Sequence, residues 1–220
     1  MTLRAVDSAS PHVRRVARAG VLALCDRLDT TPGRTLYAEG KARFETADER
    51  VEITPPFRFE HWENAERIDT GPLREHLTAP RLVGLLVVRL GGYGAGVYED
   101  ERLVEGKHGV RFVKNRNKKG GSSSNRFRRR RVEQAKALVE EAGEVAATVL
   151  IPWRERAEFA ALGGDQRAVE AALATRPDLT WLRERAIPRF LDVPEPRHRT
   201  LEALPYDLYA VQFEVAATTT

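Results

Sequence analysis

Apolar residues recur at helical spacing over Val13, Val16, Ala17, Val21, Leu24 and Leu28. They predict a helix opening at Ser10-Pro11, the serine as cap and the proline in the first turn. Thr30-Thr31-Pro32-Gly33 stops it. Residues 34–60 read as extended chain: Thr35-Leu36-Tyr37, then Phe44 and Thr46, a polar turn at Ala47-Asp48-Glu49, then Val51 and Ile53 before Pro55-Pro56. A short helix is expected after Thr70, with Pro72 in its first turn. Residues 1–80 are thus expected to be an α+β extension.

From residue 81 the pattern changes. Leu82-Val83-Gly84-Leu85-Leu86-Val87-Val88 is a nearly continuous apolar run, as a strand buried on both faces shows. Gly91-Gly92-Tyr93-Gly94 reads as a hairpin turn, Ala95–Tyr98 as a second strand and Val110–Val113 as a third. A helix follows, with Phe127, Ala135, Leu138, Val139 and Ala142 on one face and Gly143 ending it. Val145–Ile151 then reads as a buried strand, with helices around 153–161 and 165–175. Leu208–Phe213 is expected to close the sheet. Hairpins first and crossovers later suit an α/β fold, a mixed sheet flanked by helices over 81–220. This is the element order of ribonuclease-H-like folds.

Composition narrows the class. At 220 residues and 42% hydrophobic the chain can bury a core, and no apolar run approaches the roughly 20 residues that span a bilayer. The opening MTLRAVDSASPHVRR has no apolar middle of the signal-peptide kind. The single cysteine, Cys25, excludes an internal disulfide and a multi-cysteine zinc site. A cytoplasmic location is the expectation.

The net charge of +4 hides a strong asymmetry. Between Lys107 and Arg131 stand eleven Lys or Arg residues and no Asp or Glu, whereas elsewhere acids outnumber bases 32 to 25. Such a run repels itself, so an anionic partner is expected to offset it. The cations are Lys107, Arg111, Lys114, Arg116, Lys118 and Lys119 on the approach, then Arg126, Arg128, Arg129, Arg130 and Arg131. Between them lies Gly120-Gly121-Ser122-Ser123-Ser124. Cations neutralise phosphates, the sequence-independent part of RNA binding. Glycines let a backbone approach a substrate closely. Exposed N–H groups there would stabilise a developing oxyanion without any side chain. Ser124 or Asn125 is placed to cap the helix that follows.

This stretch resembles the catalytic loop of the Vms-type release-factor-like peptidyl-tRNA hydrolases, in a bacterial branch. That family is related to the middle domain of eukaryotic and archaeal class I release factors. The likeness lies in a basic strand, a Lys-rich approach, Gly120-Gly121-Ser122, and a helix opening with consecutive arginines. It extends over residues 80–215 and leaves 1–80 without a role. The resemblance implies a ribonuclease-H-like domain, partnered by large-subunit ribosomal RNA and peptidyl-tRNA, that promotes water attack on the peptidyl-tRNA ester. By it, Gly120, Gly121, Ser122 and Ser123 form the reactive tip and the flanking cations hold RNA. No metal or organic cofactor is implied. One position departs: Ser123 stands where a glutamine commonly follows Gly-Gly-Ser. Two alternatives stay open, a non-catalytic ribosome- or RNA-binding factor and a nuclease acting on the tRNA 3′ end.

Other features read as structural. His108 is taken as a surface residue, Cys25 as core, and Trp62, Trp153 and Trp181 as core or interface anchors. Phe112 and Phe127 flank the loop and are assigned to burial before base stacking. Glu99, Asp100 and Glu101 are taken to solvate a strand end. The strand at 82–90 carries none of the carboxylates that two-metal nuclease chemistry requires.

Overall fold

A computed structural model describes residues 14–111 and 124–217. In chain order the elements are β1 (Arg14–Val16), α1 (Arg18–Leu28), β2 (Gly33–Ala38), β3 (Lys41–Thr46), β4 (Glu49–Thr54), β5 (Glu63–Ala65) and α2 (Gly71–Thr78). There follow β6 (Leu82–Arg89), β7 (Gly92–Glu99), β8 (Arg102–Val110), α3 (Ser124–Leu150), β9 (Phe159–Gly164) and α4 (Gln166–Thr175). The short helices α5 (Trp181–Glu184), α6 (His198–Ala203) and α7 (Pro205–Leu208) precede β10 (Val211–Ala217). They form two compact units, Met1–Ala79 with Ala210–Thr220, and Pro80–Tyr209.

The first unit is an antiparallel sheet in the order β1-β10-β4-β3-β2-β5. Alternation along β2, β3 and β4 turns Tyr37, Ala42, Phe44, Val51 and Ile53 inward, onto Val21, Cys25 and Leu28 of α1 and Leu73 and Leu77 of α2. Burying each large apolar side chain is worth about 1.5–3 kcal/mol. Alternate residues carry cross-strand ion pairs, Arg34–Glu45 at 2.8 Å and Arg43–Glu52 at 2.6 Å, with Lys41 also on Glu52. Ser10, Pro11 and Val13 lie outside the described residues, but the predicted helix is shorter than its periodicity. Arg14–Val16 pairs with β10, Ala17 is extended, and the helix starts at Arg18. The strands of 34–60 and the Pro72 helix are as expected.

The second unit is the expected α/β mixed sheet flanked by helices, in the order β8-β7-β6-β9. β6 lies antiparallel to β7 and parallel to β9, and is buried from Leu82 to Val88. Leu86, Val88, Tyr93, Ala95 and Val97 share a core with Leu138, Ala142, Ala146 and Leu150 of α3 and with Val169 and Leu173 of α4.

Expectations for this unit are corrected at four places. The third strand is Arg102–Val110, not Val110–Val113; it is an edge strand with mostly polar, solvent-facing side chains, so no apolar run marks it. Gly143 does not end a helix, and 145–151 is not a strand. The helix α3 runs through both to Leu150, because Gly143 is a packing contact: a Cβ there would meet Thr175 Oγ1 at 2.3 Å and the Ala172 carbonyl at 3.1 Å. The span 153–161 is not helical but leads into β9, whose small residues Ala160, Ala161 and Gly163 permit close packing.

The fourth correction concerns the C-terminal strand. It does not close this sheet. The far edge of β9 is taken by residues 185–191, through Ala160 N–H to Arg185 O, Ile187 N–H to Ala160 O and Leu191 N–H to Leu162 O. Pro188 interrupts that pairing. Pro205–Leu208 is helical, and β10 pairs with β4 and β1, so the residues from 210 join the first unit rather than the domain expected over 81–220.

Candidate nucleic-acid interface

The two elements that bracket the basic loop grow from the second unit. β8 ends at Val110, Arg111 follows, and α3 begins at Ser124. The proposed tip residues Gly120, Gly121, Ser122 and Ser123 lie outside the described residues, as do Phe112 and the cations Lys114, Arg116, Lys118 and Lys119. So do the side chains of Ser124, Asn125, Phe127 and Arg128, which leaves the capping expectation without a geometry.

On α3 the described arginines lie along the solvent-facing start of the helix. Arg126, Arg129 and Arg130 are exposed and Arg131 is half-buried. Spacings of three and four set Arg126, Arg129 and Arg130 on one side of the helix. No described residue of α3 before Leu138 is buried. At 1.5 Å per residue, roughly 20 Å separates the start of α3 from Leu138, the first of its described residues to be buried. No acid lies in the first turn of α3, and the first in its sequence is Glu133. Cations at a helix N-terminus oppose the helix dipole by about 0.3–1 kcal/mol each within the first turn. An exposed helix end that forgoes this stability is suited to a polyanion, whose phosphates reverse the sign.

Arg111 is placed differently from the described arginines of α3. Its Nη1 donates to Glu141 Oε2 at 2.6 Å, and its backbone N–H donates to the Gly91 carbonyl at 3.0 Å. The Tyr93 hydroxyl lies near the Glu141 carboxylate. Tyr93 stands opposite Gly109 in the β7–β8 ladder and lies across it: a Cβ on Gly109 would come within 2.2 Å of the Tyr93 oxygen. The Tyr93 hydroxyl first, then Arg111, hold Glu141 below the usual carboxylate range. Burial first, then the neighbouring Glu141 carboxylate, push the Tyr93 hydroxyl up to about 12. Sequence reasoning took Tyr93 as part of a turn and passed over Glu141. The available signal was an aromatic residue set between glycines, facing another glycine one strand away.

The remaining candidates take structural places. His108 is exposed and stacks on His198, ring centroids 5.9 Å apart. Cys25 is buried, and burial raises its thiol pKa to about 11, so it is no nucleophile at neutral pH. Trp181 is buried, and Trp153 donates its indole N–H to Glu105 at 2.7 Å. Trp62 is 77% exposed, so of the two expected places, core or interface, it does not take the core. Asp100 and Glu101 form the β7–β8 turn with φ of 48° and 70°, and Asp100 accepts the Arg81 N–H at 3.0 Å. Among the described residues, no group of three or more His, Cys, Asp or Glu side chains is placed to hold a metal ion. No helix among them is long and apolar enough to cross a membrane.

No curated protein matches the chain. Solved structures similar to it include the archaeal translation termination factor aRF1, at 12% identity and a TM-score of 0.42 over 88% of this chain and 73% of that one. The Vms1 mitochondrial localization core is 12% identical with a TM-score of 0.43, over 82% of this chain and 77% of that one. Dom34 of S. cerevisiae, a translation termination-like factor involved in RNA quality control pathways, is 4% identical with a TM-score of 0.36, over 88% and 63%. The family model of the Actinobacteria/Chloroflexi VLRF1 release factor matches residues 81–214, which spans β6 to β10 and the whole basic stretch. The chain belongs to this release factor family.

Proposed function

We propose that this chain is a peptidyl-tRNA hydrolase that frees nascent chains from stalled ribosomal complexes. One observation carries the reading: in a chain of the VLRF1 release factor family, a cationic stretch without a single acid is centred on Gly120-Gly121-Ser122. The exposed arginines of α3 support it, being suited to the phosphates of ribosomal RNA and the tRNA acceptor end. In the proposed reaction, water attacks the ester carbonyl and its oxygen becomes part of the new peptide carboxylate. The ester bond breaks toward the tRNA ribose oxygen, which takes a proton. Backbone N–H groups at the tip stabilise the oxyanion that forms in between.

The products decide the matter. The protein is incubated with large-subunit complexes carrying peptidyl-tRNA, and peptide and tRNA are resolved. Free peptide with full-length tRNA is the expected result. A shortened tRNA would make the chain a nuclease, and bound but unchanged peptidyl-tRNA a non-catalytic factor.

The arginines make a separate prediction. Replacing Arg126, Arg129 and Arg130 together by alanine should lower the slope of log affinity against log salt for ribosomal RNA by about 2 units, since each phosphate contact contributes roughly 0.7–0.9. An unchanged slope would mean that this helix face does not meet phosphate.

A further inference from the structure

We propose that Glu141 is the positioning residue for the basic loop, and that Arg111 serves this clamp rather than the RNA backbone. The proposal deepens the reading above, since it concerns how the same loop is held.

The loop leaves the second unit at Arg111 and re-enters it as α3. β8 is an edge strand, hydrogen-bonded in the sheet to β7 alone. α3 has no buried residue described before Leu138. Glu141 stands one turn beyond Leu138, the first described residue of α3 to be buried, and accepts from Arg111, just past the end of β8, at 2.6 Å. The Tyr93 hydroxyl of β7 lies near the same carboxylate. The ion pair therefore ties the end of the outgoing strand to the returning helix at the base of the loop. Gly109 is part of the device, because any side chain there would occupy the place of the Tyr93 phenol. The backbone bond from Arg111 to the Gly91 carbonyl adds a second tether to the same residue. An arginine so engaged keeps little freedom to follow a phosphate, although its place in the cationic run suggests that role.

The test separates the clamp from RNA binding and from release. Hydrogen exchange is followed in the free protein over peptides containing 107–111 and 138–142. In Glu141→Gln and Arg111→Ala, exchange in both should quicken by roughly two- to fivefold, the scale of a half-exposed ion pair. Tyr93→Phe removes one hydroxyl only and should give a smaller change in the same peptides. The exchanged pair Arg111→Glu with Glu141→Arg should restore protection that either single change loses. In RNA binding, Arg111→Ala should leave the salt slope unchanged, whereas Arg129→Ala lowers it by roughly 0.7–0.9 units. In release, the clamp variants should lower kcat and leave KM within about twofold, as misplacement of a bound reacting group does.

A slope lowered by Arg111→Ala as much as by Arg129→Ala would overturn the assignment of Arg111. Unchanged exchange in all the variants would overturn the clamp. Absence of release by the wild-type protein would overturn the hydrolase reading, while exchange and salt slope would still decide the clamp.

Discussion

Gly121→Ala is expected to lower peptide release by about a hundredfold or more, the scale on which small misplacements of reacting groups act. Affinity for the ribosomal complex should stay nearly unchanged. The two effects separate because the substitution removes no charge. The cations that hold RNA remain, and the salt dependence of binding with them. What changes is the space and φ freedom of the backbone where it meets the ester: alanine adds a Cβ and disfavours positive φ. Single-turnover release and equilibrium binding, measured on the same complexes, check both halves. Undiminished release would place the reaction elsewhere than at Gly120-Gly121-Ser122. A parallel loss of binding would make the glycine pair a folding requirement of the loop.

Ser123 gives the second large effect, because here the sequence departs from the glutamine common in the family it resembles. If the donor to the oxyanion is a backbone N–H, the side chain borne by that residue matters little. Ser123→Ala should then keep release within about tenfold of wild type, about 1.4 kcal/mol. Ser123→Pro removes the N–H and should lose roughly 10²–10³-fold, the usual effect of deleting one oxyanion donor. Proline also restricts the chain, so the alanine variant is its necessary companion. A severe loss in Ser123→Ala would show that the hydroxyl positions water or relays a proton. Small and equal effects from both changes would remove the backbone amide from the mechanism.

How much of this was legible in the chain varied with how local its cause was. The charge run and Gly120-Gly121-Ser122 needed no packing to be seen, since mutual repulsion and backbone freedom belong to the covalent sequence. Strands β2 to β4 were legible because one face of their sheet is buried and the other carries ion pairs, which leaves a period of two. Strand β6 showed as an apolar run, and Pro72 marked the start of α2. Periodicity failed where burial surrounds a segment. Val145–Leu150 reads equally as strand or helix, and only the exposed series Glu140, Glu144 and Thr148, spaced by four, favoured the helix that forms. Strand β9 lacked branched residues because packing against its neighbours selects small ones. Strand β8 lacked an apolar face because it lies at an edge.

By itself, then, the sequence determined the elements with one wet and one dry face, the α/β class of the second unit, and the cationic, acid-free character of residues 107–131. Tertiary structure alone decided which sheet β10 joins. Its residues suit any antiparallel neighbour, but β9 is already covered by 185–191, while β4 pairs with β10 from Gln212 on and β1 sets Val16 opposite the buried Val211. It also decided the role of Arg111. Nothing in a run of cations distinguishes one member until folding brings Tyr93, Gly109 and Glu141 to it, from two neighbouring strands and a helix. Strand partners and carboxylate partners are both chosen across long stretches of chain, by which groups a finished core leaves side by side.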